Sequence, residues 1–201
     1  MKIRRALAAM VGAALAAAVL AVVPGGVAHA DTVWESIDAW QGTDLKCLDV
    51  RKQDDYYRAG ARIQIWDCSG ALEQQWMWHP YPEQTPPQGE FGIRSTLYQV
   101  KSLRSGMCME VRNGDTITFD RQVDQMPCGS GSIDSISQQL WLRGPMDDEG
   151  RVSLSPWSAV RANVSRCLDI VGGSTDNGSM LQQYPCTYNW NQRFATAING
   201  L

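Results

Sequence analysis

Three cysteine-led stretches recur in the same order along the chain, and that recurrence limits the fold more than any other feature. The most regular copy runs from Cys167 to Phe194. It opens with CLDI, passes through a turn-rich run containing Gly172, Gly173, Asn177 and Gly178, continues as LQQYPC up to Cys186, and closes on Asn191-Gln192-Arg193-Phe194. The same skeleton, CLDV, IQIWDC and EQQW, occupies Cys47 to Trp76, and a degraded version, CMEV, VDQMPC and QQLW, occupies Cys108 to Trp141. Ordered self-similarity of this kind is the signature of a repeat architecture.

Within each copy the side chains sort by parity, because successive residues of a strand point to opposite faces. Leu48 and Val50 share one face of CLDV, and Cys47 and Asp49 share the other. Ile63 and Ile65 face one way; Gln64, Trp66 and Cys68 face the other. Met109 and Val111, then Leu168 and Ile170, take the corresponding apolar positions, while Gln182, Tyr184 and Cys186 keep common parity. Aliphatic faces belong in a core, so the cysteines and the polar and aromatic residues between them are expected together on the outer side.

The segments around the copies read as further strands and turns. Thr32 to Trp40 is expected to be an apolar strand before a Gly42-Thr43-Asp44 turn, and Trp76 and Trp78 alternate as a strand would. His79 to Arg94, with four prolines, reads as an irregular connector. The second copy starts at Leu97, and a small-polar insertion, GSGSIDSIS, follows Cys128. Gly144 to Gly150 is acidic and turn-like, and Ser158 to Val164 is expected to be the first strand of the third copy. No segment shows a convincing helical period. Many short strands with regular turn signals predict an all-β, barrel-like domain.

The amino terminus stands apart. Lys2, Arg4 and Arg5 precede an apolar run from Ala6 to Val23, Pro24-Gly25-Gly26 breaks it, and Ala28-His29-Ala30 supplies a small-x-small cleavage pattern. Residues 1–30 are therefore expected to be a signal peptide of a secreted protein, leaving 31–201 as the mature domain, with no membrane span after cleavage. Three of the eighteen basic residues and none of the twenty-one acidic ones lie in the leader, so the mature chain carries a net charge of −6. An acidic domain without a basic stripe offers phosphate backbones nothing to hold, which argues against nucleic acid as a partner. All six cysteines follow residue 46, and an even set in an exported chain argues for disulfides, although six cysteines allow fifteen connectivities. A zinc site is disfavoured because there is no C-x-x-C and only one histidine, His79, follows the leader.

The motifs C-L-D, Q-x-W-x-C and Q-x-W together resemble the ricin B-chain type lectins over essentially the whole chain after residue 30. That resemblance implies a β-trefoil of three repeats, roughly 31–79, 95–144 and 158–199, each with its own disulfide. The repeat alignment pairs Cys47 with Cys68, Cys108 with Cys128, and Cys167 with Cys186. It also implies a sugar pocket per intact repeat, formed by the aspartate after C-L, the glutamine and aromatic before the second cysteine, and the Asn-Gln of the closing motif. In the third repeat every position is matched: Asp169, Gln182, Tyr184, Asn191 and Gln192. The first repeat matches at Asp49, Gln64, Trp66 and Gln74, but Glu73 replaces the asparagine. Glu110, Asp124 and Met126 replace the acid, amide and aromatic of the second repeat, which is expected to be silent, with Gln139 structural.

These residue types suit a sugar on chemical grounds. A carboxylate accepts hydrogen bonds from vicinal hydroxyls, an amide donates and accepts at once, and an aromatic ring covers the C–H face. The implied function is a secreted, monomeric, non-catalytic module for galactose- or xylose-type glycans or polysaccharide, needing no cofactor or metal. One alternative is a trefoil scaffold that binds a protein partner or inhibits a protease through the Pro80 to Gly92 loop. Another is a glycoside hydrolase, for which the sequence gives no dedicated catalytic region and no supported Ser-His-Asp arrangement.

Overall fold

The computed structural model describes residues 34–41, 44–81, 96–114 and 120–196. The expected leader, the Gly42-Thr43 turn and most of the proline-rich connector lie outside these residues. No helix among the described residues is long and apolar enough to cross a membrane.

Fourteen strands are present among the described residues. The first repeat contributes β1 (Trp34–Glu35), β2 (Ile37–Gln41), β3 (Asp44–Val50), β4 (Ile63–Asp67) and β5 (Trp76–Pro80). The second contributes β6 (Leu97–Ser102), β7 (Cys108–Val111), β8 (Arg121–Met126) and β9 (Leu140–Arg143). The third contributes β10 (Arg151–Val152), β11 (Leu154–Pro156), β12 (Arg166–Ile170), β13 (Leu181–Pro185) and β14 (Phe194–Thr196).

The antiparallel pairings close a ring. β1 pairs with β5, β5 with β6, β6 with β9, and β9 with β11. β10 then pairs with β14, and β14 with β2. Because β1 and β2 are one strand interrupted at Ser36, and β10 and β11 one strand interrupted at Ser153, the ring contains six strands, the first and last of each repeat. Closure removes exposed sheet edges. The middle strands form three hairpins, β3–β4, β7–β8 and β12–β13.

The parity reading holds in all three hairpins. Leu48, Val50, Ile63, Ile65, Met109, Val111, Val123, Leu168, Ile170 and Leu181 are buried in one cluster with Trp76, Trp141 and Phe194. Those three aromatics are equivalent residues of the closing motif. The indole Nε1 of Trp76 donates to the carbonyl of Leu48 at 2.9 Å, and that of Trp141 to the carbonyl of Met109 at 3.0 Å. Each indole thus ties the ring to the hairpin of its own repeat. The cysteines pair as the repeat alignment implies, 47–68, 108–128 and 167–186, one bridge per hairpin.

Three expectations need correction. Ser158 to Val164 is not the first strand of the third repeat. That strand lies upstream at Arg151–Pro156, where Val152, Leu154 and Pro156 alternate into the interior, and Trp157–Arg161 is a short helix, α1. The small-polar insertion after Cys128 is not merely a spacer. Its Ile133 and Ile136 are buried with Leu97, Leu140 and Trp157 in a second apolar cluster, which gives α1 something to pack on. His79 and Pro80 belong to β5, opposite Gln99 and Tyr98, rather than to the connector.

The indole bonds make a prediction. Trp76→Phe or Trp141→Phe keeps the ring but leaves a buried carbonyl unpaired, a loss of about 1–3 kcal/mol. Urea unfolding midpoints measure it, and a change below about 0.5 kcal/mol in both variants would show that these bonds do not hold the hairpins.

Candidate functional site

Cross-strand register brings the expected site residues together. Asp49 lies directly opposite Gln64 in the first hairpin, and Asp169 opposite Gln182 in the third. Two residues along, on the same face, stand Trp66 and Tyr184. The closing segments then return as single 3-10 turns, Leu72–Gln74 and Trp190–Gln192, beneath each carboxylate.

In the third repeat, Asp169 is gripped by three amides. Gln182 Nε2 donates to Oδ1 at 2.8 Å, while Gln192 Nε2 at 2.9 Å and Asn191 Nδ2 at 2.7 Å donate to Oδ2. A carboxylate has about four acceptor sites, so one, on the Oδ1 side, remains. Asp169 itself is only 2% exposed. Burial pushes its carboxyl above the ordinary carboxylate range, and the bonds from Gln182 and Gln192 oppose that shift. Gln182 uses one donor on Asp169, and Tyr184 and Asn191 are half-buried beside it, so the outward surface of the site belongs to these three side chains.

Gln192 plays a different part. It is fully buried; Nε2 also donates to the carbonyl of Pro185 at 3.0 Å, and Oε1 accepts from the backbone N–H groups of Thr187 and Tyr188. With both ends of its amide engaged, Gln192 positions Asp169 from behind. Gln74 does the same in the first repeat, donating to Asp49 Oδ2 at 3.2 Å and the carbonyl of Asp67 at 3.0 Å, and accepting from Ser69 N–H at 2.8 Å.

The first pocket is built on the same plan with two differences. Asp49 receives Gln64 Nε2 at 2.9 Å on Oδ1 and Gln74 on Oδ2. Burial, reinforced by the nearby charge of Glu73, pushes its carboxyl up to about 6. Glu73, in the asparagine's place, instead accepts a bond from the hydroxyl of Tyr56 at 2.8 Å. Tyr56, pushed up to about 12 by burial and by that bond, stays a neutral donor, and Arg104 lies over its ring at 5.0 Å. Trp66 is 39% exposed, a broad apolar surface beside Gln64. Gly178 of the third repeat borders it: its N–H bonds the carbonyl of Ile65 at 2.9 Å, and a β-carbon there would lie 3.8 Å from the Trp66 ring and 3.9 Å from Gln64 Oε1.

The second hairpin has lost this arrangement. Glu110 faces Asp124 across the strands; Gln139 Nε2 donates to Glu110 at 2.6 Å and to the carbonyl of Pro127 at 3.0 Å. Asp124 is engaged by the guanidinium of Arg112, at 2.5 and 3.0 Å, and Met126 replaces the aromatic. The structural role expected of Gln139 is therefore present, and the carboxylate beside it is neutralised from within.

Sequence reasoning missed Tyr56, because it sits in a loop outside the repeated motif. A group of possible metal ligands among the described residues, Asp38 with Cys47 and Cys68, has its two sulfurs joined in a disulfide, which leaves no thiolate to coordinate an ion.

No protein-family model matches the chain, and no curated relative does. Solved structures do match. A designed 3-fold symmetric protein, ThreeFoil, superposes with a TM-score of 0.63 at 22% identity, covering 81% of this chain and 96% of that one. An exo-β-1,3-galactanase from Clostridium thermocellum gives 0.62 at 19% identity over 82% of this chain, which spans only 30% of that enzyme. A Macrolepiota procera ricin B-like lectin, solved in complex with lactose, gives 0.56 at 13% identity, covering 81% and 91% of the two chains. A six-stranded ring, three disulfide-bridged hairpins and a threefold recurring motif lead to one conclusion: the chain is a β-trefoil, with the fold of the ricin B-like lectins.

Proposed function

We propose that this chain is a secreted, non-catalytic carbohydrate-binding protein that recognises galactose- or xylose-type glycans or polysaccharide through its third and first repeats. The observation that carries the reading is the Asp169 constellation, a carboxylate fixed by three amide donors beside an amide with donor and acceptor capacity and a half-buried tyrosine. Fixed acceptors and donors next to a flat ring are complementary to the hydroxyls and the C–H face of a pyranose. The lactose complex of the structurally similar Macrolepiota procera lectin supports the same class of ligand.

The way the acids are held supports binding rather than turnover. Asp49 and Asp169 each accept from glutamine amides at both oxygens, an arrangement for orientation and not for a proton donor paired with a nucleophile. Two weak pockets on one monomer would engage a polymer or a cell surface better than a free sugar, through effective concentration.

Mutation separates the pockets. On a glycan array followed by titration with the best ligand, Tyr184→Ala is expected to weaken third-pocket binding at least about ten-fold with little change in melting temperature. Asp169→Ala abolishes that binding and also lowers stability, because three amide donors lose their acceptor. Glu110→Ala leaves binding within about two-fold. Equal loss from all three variants would overturn the site assignment.

The raised carboxyl of Asp49 adds a pH dependence whose sign differs for stability and binding. A folded-state value near 6 favours the protonated form, so its contribution to stability is fully present below the ordinary value of 3.8 and is lost as pH rises through about 6. Ligand hydroxyls need the ionised acceptor. In a Tyr184→Ala background, where the first pocket acts alone, affinity is expected to be about ten-fold weaker at pH 5 than at pH 7. A flat profile over that interval would remove Asp49 from the site.

A further inference from the structure

Each hairpin of the trefoil is bordered by a backbone turn from the preceding repeat, and the residue at the apex of that turn differs among the three. Gly178 donates its N–H to Ile65 in the first hairpin, Gly60 to Gln125 in the second, and Asp120 to Gln183 in the third, at 2.9, 2.8 and 3.1 Å. All three have left-handed backbone angles, φ +93°, +85° and +65°. Glycine is the ordinary occupant of that conformation, and an L-residue there is uncommon, aspartate and asparagine being the side chains that tolerate it best. Two copies follow the rule; the copy that borders the fully matched pocket carries a carboxylate instead.

The direction in which that carboxylate projects can be read from its equivalent. A β-carbon on Gly178 would lie against the Trp66 ring and the Gln64 amide oxygen, the aromatic and the amide of the first pocket. Asp120 carries a β-carbon at the equivalent position, its N–H bonded to the carbonyl of Gln183, the residue between Gln182 and Tyr184 in the third hairpin. Its charge is felt at Asp169, whose proton affinity it raises. Among the described residues no lysine or arginine forms an ion pair with Asp120, whereas Asp124 of the same segment, which bridges to Arg62 of the first repeat, is gripped by Arg112.

We propose that Asp120 is a wall of the third pocket supplied by the second repeat, and that its carboxylate makes this pocket prefer sugars bearing an ammonium group, such as an unacetylated 2-amino sugar, over neutral counterparts. The inference rests on the reading of Asp169, Gln182 and Tyr184 as a sugar site. It assigns a specificity-determining residue outside the repeated motif. An exposed carboxylate paired with a ligand ammonium supports a preference of up to about five-fold at low salt, and screening shrinks it as salt rises.

The test uses the full chain with the first pocket silenced by Trp66→Ala, titrated at about pH 6.5 with galactose, galactosamine and N-acetylgalactosamine. Galactosamine is expected to bind about five-fold more tightly than the other two at low salt, with the gap closing in concentrated salt. Asp120→Gly restores the residue used by the other two copies, so it is expected to fold, and the gap of about five-fold between galactosamine and the other two sugars is expected to disappear. Absence of an ammonium preference in the parent, or its survival in Asp120→Gly, overturns the proposal. Binding of all three sugars untouched by Tyr184→Ala overturns the pocket assignment itself, and the proposal with it.

Discussion

A buried glutamine amide in each repeat holds both the fold and the pocket. Gln74, Gln139 and Gln192 occupy the same place in the closing motif, and each makes the same bonds. The oxygen accepts the N–H of the residue after the second cysteine: Ser69, Gly129 or Thr187. The nitrogen donates to the carbonyl of the residue before that cysteine, Asp67, Pro127 or Pro185, and to the acid of the first strand, Asp49, Glu110 or Asp169. Backbone groups on either side of a disulfide cannot all be served by a strand ladder, because the chain leaves the hairpin there. An unsatisfied buried amide or carbonyl costs about 1–3 kcal/mol, so the glutamine is what permits the chain to turn at the bridge and re-enter the ring.

That bond pattern explains why the second repeat could lose its pocket without losing its fold. Gln139 keeps its backbone bonds and finds an acceptor in Glu110, whose longer side chain still reaches it at 2.6 Å. The positions facing outward are under no such demand. Met126 and Asp124 occupy them, and Asp124, 2% exposed, takes Arg112 as its partner because a buried carboxylate without one would be far costlier. The structural role and the proposed recognition role are separable because they fall on opposite sides of the same carboxylate.

The repeats were legible because each is a local pattern: parity placed Leu48, Ile63, Leu168 and their equivalents in the core, and the alignment placed the three disulfides. What escaped depended on partners far along the chain. Trp157–Arg161 has too few residues for a helical period to show, and it is helical where Ile133 and Ile136 give its apolar side something to bury against. Tyr56 and Asp120 lie outside the motif; Tyr56 matters through its bond to Glu73 of its own repeat, and Asp120 through the closing of one repeat against the next. Composition sees neither. A comparison of the turn preceding each second strand, where two copies have glycine and one has aspartate, was the signal available for Asp120.

The same closure also decides how a pocket in this fold can change. Its floor is fixed by the glutamine and the carboxylate, whose loss would unsettle the hairpin, and its aromatic is fixed in direction by strand register. The remaining wall comes from a neighbouring repeat's turn, whose apex residue meets the hairpin through its backbone N–H and not through its side chain. Where that wall is Gly178, the first pocket is open beside Trp66 and draws its extra acid, Glu73, from its own closing motif with Tyr56 donating to it. Where it is Asp120, the extra acid arrives from outside the repeat. Two pockets with the same carboxylate–amide–aromatic frame therefore carry a second acid by different routes, and the one bound by a tyrosine hydroxyl is already partnered. The border between repeats is where a side chain can be changed without removing a hydrogen bond the hairpin needs, which is why the proposed ligand preference is placed there.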